Sequence, residues 1–348
     1  MADALLSPTV GGAMTGLSAV ALGCAVKKIS GGRLDEKKIP MMGVMGAFVF
    51  AGQMINFTIP GTGSSGHIGG GILLAALLGP CPALLTLASV LLIQCLFFAD
   101  GGLLAYGCNV FNIGVTSCFL AYTLVFRPLV RKGLEARRII PASILSVVLG
   151  LQAGAFAVVL ETLASGITML PFAAFAALMQ PIHLAIGLGE GIVTAAVLCY
   201  VHSARSEILE VCVAGTKTPA QVPMKKILAV FAVLTALVGG GLSLFASAYP
   251  DGLEWSMEKV AGSAELEQDT PLHEAAAGFV EATAVMPDYG FAGQEEGSAL
   301  GTGTAGIVGS VLTIILAGGA GLAVHVLRGN QRGNPHGDPR GKKNAGAA

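Results

Sequence analysis

Apolar and polar positions fall along this chain in long blocks. Eight blocks of nearly unbroken apolar residues run at about 9–26, 41–57, 83–98, 104–126, 139–163, 182–201, 227–248 and 304–327. A helix needs about 20 apolar residues to cross a bilayer, so each block reads as a span. The polar blocks between them carry sorted charge. Nineteen of the twenty Lys and Arg fall in four clusters, at 27–38, 127–138, 205–226 and 328–343. The twentieth, Lys259, lies in 250–303, which carries eleven Asp or Glu. Basic loops are retained on the cytoplasmic side of a membrane. All four clusters are therefore predicted inside and the acidic stretch outside.

Parity then calls for a ninth span. The block 41–57 leaves an inner loop, and the chain must be inside again by Arg127, so an odd number of crossings lies between. Only two are obvious, and the third must be 68–79, a short apolar piece followed by Pro80 and Pro82. Short helices at membrane depth persist where protein or a cavity shields them, and in transporters they often mark binding sites. The segment 165–180 is read as an outer or interfacial piece. The expected fold is an all-α integral membrane protein of the cell membrane, N-terminus outside and C-terminus inside. A seven-span bundle (1–202) is followed by a cytoplasmic linker with Pro219 and Pro223 (203–226). Two spans then flank the exterior segment (227–327), and a disordered basic tail closes the chain (328–348).

Composition narrows the function classes. Charged residues make up 12%, against about 25% in soluble domains. None of the seven Cys forms a C-x-x-C pair, so they read as small buried hydrophobes. No cleavable leader is expected, since the first apolar block has no basic region before it and runs into Lys27 and Lys28. There is no G-x-x-x-x-G-K-[ST], H-E-x-x-H or G-x-S-x-G. The chain is read as neither an enzyme nor a nucleic-acid binder.

Four features remain as candidate chemistry. The loop from Ile59 to His67 has no bulky side chain before His67, so backbone can crowd a ligand there. His67 is either a metal ligand or a solvated loop residue. His183 and Glu190 lie seven apart, on one helix face. An intramembrane carboxylate is a functional candidate by default, and the competing reading is a buried Glu bonded to a neighbouring helix. Gly12, Gly16, Ala19 and Gly23 form a small-residue stripe suited to close helix association, with a partner in this chain or another. The acidic 250–303 segment, with His273, is read as a solvated loop, and Asp100 and Glu161 as interfacial.

Several of these stretches together resemble one family. They are Gln53-Met54-Ile55-Asn56-Phe57, the loop to Gly66-His67, Ile93-Gln94, Asp100-Gly101-Gly102-Leu103-Leu104-Ala105 with Asn109, and His183-Leu184-Ala185-Ile186-Gly187 with Glu190-Gly191. In that order they are similar to the CbiM/NikM proteins, substrate-capture components of energy-coupling factor transporters for cobalt and nickel. The similarity covers about residues 1–202. Pro250-Asp251-Gly252-Leu253-Glu254, with Pro287-Asp288-Tyr289 as a weaker second signature, resembles the PDGLE domain. That domain stands in for the two-span accessory component CbiN or NikN.

The resemblance implies a site of nitrogen donors for Ni(II) or Co(II), carried as cargo, with no permanent cofactor. Family chains begin Met-His-x-x-Asp. Their terminal amine, that His and nearby backbone nitrogen join a His from the Ser-Gly-His loop, a set suited to square-planar Ni(II). Here His67 matches the loop. Met1-Ala2-Asp3 matches only if a Met-His pair lies two residues upstream, which makes Asp3 the family's Asp. The expected ligands are therefore His67 and the Met1 amine, with Asp3, His183 and Glu190 as secondary candidates. The implied partners are a transmembrane coupling subunit and cytoplasmic ATPase subunits. An ion-coupled secondary transporter with Glu190 as proton carrier is the rival class.

Overall fold

The computed structural model describes residues 1–33, 37–168, 170–215, 224–263, 270–291 and 298–332. The chain is an all-α integral membrane protein, and seven of its described helices are long and apolar enough to cross a bilayer. In chain order the helices are α1 (Pro8–Lys28), α2 (Lys38–Gln53), α3 (Gly71–Leu78), α4 (Pro80–Phe98), α5 (Tyr106–Val130) and α6 (Ala136–Ser165). They continue with α7 (Phe172–Ala204), α8 (Ser206–Ala214), α9 (Met224–Gly240), α10 (Gly252–Ala261), α11 (Pro271–Thr283) and α12 (Ala299–Arg332). The outward faces of the long helices are apolar. Val20, Leu124, Ile192 and Leu237 are each at least 60% exposed, as a lipid-facing surface requires.

The two shorter helices of the bundle lie inside it. Helix α2 is buried over most of its length, and all eight residues of α3 are buried. The short apolar piece that parity singled out forms α3, whose eight residues are fewer than the seven membrane-length helices have. Its chain neighbours sort to two ends of the bundle. Lys38, Leu78 and Cys212 meet at one end, where Lys38 Nζ donates to the Leu78 carbonyl at 3.0 Å and Cys212 Sγ to that of Leu77 at 2.9 Å. At the other end the residues before Pro8, the 57–66 loop, the 99–105 loop and the 247–291 segment come together.

Local sequence explains the helix ends. Ser7 caps α1, accepting from the Val10 amide, with Pro8 in the first turn and Lys27 and Lys28 in the last. Asp251 and Glu254 form a reciprocal capping box at the start of α10. Small residues set the packing. A side chain at Gly187 or Gly191 on α7 would run into Val148 or Ile144 on α6, so the two backbones lie close. Gly43 on α2 likewise lies against the Ile314 backbone of α12. The last helix is thus seated in the N-terminal bundle.

Four expectations change. Residues 172–180 are the first turns of α7, which continues through Pro181, so this piece belongs to a span longer than predicted. Glu161 is buried in the bundle, where it accepts from Asn112 Nδ2 at 2.7 Å. The exterior segment, where described, is folded. It forms α10 and α11, and His273 is buried with Nε2 donating to the Leu6 carbonyl at 2.9 Å. Apolar faces on both helices outweigh their charge, and those faces cover the bundle's end. The expected linker contains α8, whose Ile208, Leu209 and Cys212 are buried. Residues 216–223 of that linker, with Pro219 and Pro223, and residues 333–348 of the predicted tail lie outside the described residues.

The small-residue stripe stays open. Gly12, Gly16, Ala19 and Gly23 are exposed, and a Cβ at any of the three glycines would meet nothing within 4 Å. The opposite face of α1 is the packed one, where Ser18 Oγ donates to the Gly107 carbonyl at 2.6 Å.

Candidate metal site

The N-terminus is held in place by two side chains. Asp3 accepts from the Ala105 amide at 2.7 Å and the Leu103 amide at 3.1 Å, one on each carboxylate oxygen. It is not among the residues lining the two cavities described below, and it braces the 99–105 loop. The 99–105 loop can fold over Asp3 only because Gly102 has φ +85 and no side chain, since a Cβ there would fall on the carboxylate. Asn109 grips Met1 at both ends. Its Oδ1 accepts from the terminal amine at 3.0 Å and its Nδ2 donates to the Met1 carbonyl at 3.1 Å.

The loop carrying His67 begins as a two-stranded hairpin, Phe57–Ile59 against Ser64–Gly66, with Thr58 opposite Ser65. Beyond the hairpin it is pinned from below. Gln53 Nε2 donates to the Gly69 carbonyl at 3.0 Å, and Gln94 Nε2 holds Gln53 Oε1 at 2.9 Å. Glu190 Oε1 accepts from the Gly70 amide at 2.9 Å. The C-terminal region holds the hairpin from outside. The Ser65 amide donates to the Pro250 carbonyl at 2.8 Å, and Trp255 Nε1 to that of Thr62 at 3.0 Å.

These bonds also bracket α3 with charge. Glu190 sits at its N-terminus, where backbone amides gather positive partial charge. Lys38 sits at its C-terminus on the last carbonyls. Both are buried, and each gains from the end of the helix dipole that it faces. The helix spans only about 12 Å at 1.5 Å per residue, so the two charges lie within reach of the same short element.

Two adjoining cavities meet at His67. The outer one, about 500 Å³, lies between the bundle and the C-terminal region, and its wall includes Asp100, Asp251, Glu254 and Asp288. Burial, then the charges of Asp251 and Asp100, raises the Glu254 carboxyl above its usual range. The Tyr289 hydroxyl donates to Asp100 at 2.6 Å, and burial followed by that carboxylate raises its pKa well above the ordinary value. The inner cavity, about 130 Å³, is lined by Asn112, His183, Glu190 and apolar side chains. Met1, His67, Asn109, Ile113 and Asp251 line both and form the neck.

The expected residues therefore gather unequally. Met1 and His67 share the neck. His183 and Glu190 line the inner cavity below it. Among the described residues, no three His, Cys, Asp or Glu side chains converge as a metal cluster. Sequence reading had no role for Asn112, although an Asn inside an apolar block is a signal of its own. It also did not foresee that Asp251 would reach the site.

Two family models match different parts of the chain. A family model described as the cobalt uptake substrate-specific transmembrane region, CbiM, matches residues 1–208, and a PDGLE domain model matches residues 225–326. The chain is 33% identical over 316 residues to a protein of Archaeoglobus fulgidus named as a fused nickel transport protein, NikMN. That match covers 90% of this chain and 95% of the other. It is 31% identical over 252 residues to the cobalt transport protein CbiM of Geobacter sulfurreducens, covering 69% and 70% of the two chains. A crystal structure of a truncated transition metal transporter superposes with a TM-score of 0.52 at 29% identity, covering 59% of this chain and 98% of that one.

Proposed function

The chain belongs to the CbiM family of cobalt-uptake transmembrane regions, with a PDGLE domain fused behind it, and on that premise we propose that it captures Co(II) or Ni(II) for an energy-coupling factor transporter. The N-terminal bundle, to about residue 202, is the capture unit, and 227–327 is the accessory unit. The metal arrives outside and is released inside. ATP is hydrolysed on separate cytoplasmic subunits, joined through a transmembrane coupling subunit, and this chain performs no chemistry of its own.

One observation carries the reading. A terminal amine and an imidazole from a glycine-lined loop line the same cavity neck: Asn109 holds the amine, Glu190 pins the loop at Gly70, and the His67 Nδ1 is buried with no hydrogen bond among the described residues. Neutral imidazole and amine nitrogen suit late first-row divalent metals. The acidic outer cavity raises the local concentration of cations ahead of that neck.

Titration of the purified chain with Ni(II) and Co(II) tests it. Replacing His67 with Ala should abolish tight binding and leave the protein folded. Unchanged affinity would remove His67 from the site. A version lengthened by Met-His at its N-terminus adds an imidazole and backbone nitrogen beside the neck and should bind Ni(II) more tightly. Metal uptake that continues after loss of the ATPase subunits would favour the ion-coupled rival instead.

A further inference from the structure

The inner cavity is walled mostly by apolar side chains, with Ser117 and a few lone pairs set among them. Asn112 and Glu190, only 6% and 2% exposed, each turn an oxygen without a hydrogen-bond partner toward the interior. Both oxygens are aimed by their other halves. Asn112 Nδ2 is committed to Glu161 at 2.7 Å, so Oδ1 is the free end of the amide. Glu190 Oε1 is committed to the Gly70 amide, so Oε2 is the free end of the carboxylate. His183 adds a third lone pair. Its Nδ1 lies 2.8 Å from the Met179 carbonyl, which can only accept, so Nδ1 carries the proton and Nε2 does not.

Among the described residues no Lys or Arg lines this cavity, and the Met1 amine at its neck is bonded to Asn109. Buried acceptors without donors are costly, and water or a cation relieves that cost. Water fills the hydrogen-bond deficit only. A cation can also take the place of a proton on Glu190 and pair with the carboxylate that remains. A volume of about 130 Å³ holds roughly four water-sized bodies, enough for one ion that keeps part of its hydration shell. A carboxylate and an amide oxygen beside an imidazole nitrogen suit a first-row divalent ion better than an alkali ion.

We propose that the inner cavity, between Asn112 on α5 and Glu190 on α7, is a second and weaker divalent-metal site, holding a partly hydrated ion below His67. The inference rests on the reading of the chain as a metal-capture protein. It goes beyond that reading in giving the captured ion a place to stand within the bundle.

Equilibrium dialysis of the full chain in detergent against Co(II), with visible absorption of the bound ion, tests it. Two Co(II) per chain are expected, one tight and one weak. The Asn112 side chain makes no hydrogen bond to the described residues of the His67 loop, so Asn112→Leu should weaken the second site about tenfold or more, as loss of a metal-orienting group does, and leave the tight site unchanged. Asn112→Ala serves as a smaller replacement if the Leu variant misfolds. His67→Ala should remove the tight site and keep the weak one. A single Co(II) per chain in the wild type means the cavity holds ordered water only and overturns the proposal. A second site that ignores both Asn112 variants overturns it as well. A tight site that survives His67→Ala counts against the capture assignment and leaves the Asn112 result to be judged separately.

Discussion

Ser65 and Pro250 stand 185 residues apart in sequence and share a backbone hydrogen bond of 2.8 Å. One precedes the Gly66-His67 pair, and the other opens the Pro-Asp-Gly motif of the PDGLE domain. The bond makes the C-terminal region part of the wall around the His67 loop. Ser65 Oγ adds a donation to the Tyr249 carbonyl at 2.7 Å, so two successive carbonyls grip one serine.

Trp255 is the easiest part of that grip to remove. Trp255→Phe keeps most of the ring packing and loses the indole donation to Thr62. One hydrogen bond is worth about 1 kcal/mol, so metal release from the His67 loop should quicken by roughly fivefold. Stopped-flow chase of bound Ni(II) with a chelator measures this. An unchanged release rate would mean that the outer strap does not hold the loop.

Glu254 gives a pH signature. Its carboxyl is raised by burial and by the charges of Asp251 and Asp100, so ionising it costs the folded state. A raised carboxyl contributes stability at low pH that is lost as pH climbs through its folded range. Glu254→Gln keeps an acceptor for the Asp251 amide and removes the charge. The variant should match the wild type in thermal stability at acid pH and exceed it at neutral pH. A stability difference that does not change between the two pH values would refute this.

Lys38 should matter more than its place in a basic cluster suggests. It is buried and completes the C-terminal end of α3. Lys38→Met keeps the aliphatic stem and leaves the Leu78 carbonyl without its donor. Loss of a partly buried charge at a helix end costs up to about 2 kcal/mol. Thermal unfolding in detergent should register that loss, and a melting temperature equal to wild type would show the bond to be idle.

The open stripe on α1 separates folding from coupling. A Cβ at Gly16 meets no described residue within 4 Å, so in Gly16→Leu stability and metal affinity should stay as they are. Close approach of another helix would be blocked. Uptake in cells that also make the coupling and ATPase subunits should therefore fall. Normal uptake would exclude this face as the docking surface.

Block length and charge sorting were enough to read the membrane class, most of the long apolar helices and even the short helix α3 from the sequence. Lipid imposes that legibility, because a segment that crosses it must be apolar along its whole length. The motif residues His67, Asn109 and Asp251 were visible too, as was the small-residue stripe. What each of them touches was not. Asp3 became a strut because two amides of the 99–105 loop reach its carboxylate first. Glu190 became the anchor of α3 because a kinked loop brings the Gly70 amide to it across 120 residues. The exterior segment, acidic in composition, folds over the bundle because its few apolar residues share faces that only a helix and a partner surface reveal. Apolar length is a local property that the sequence states outright. Whether a buried polar atom holds the fold or waits for a ligand depends on which atom reaches it first, and only the tertiary structure decides that.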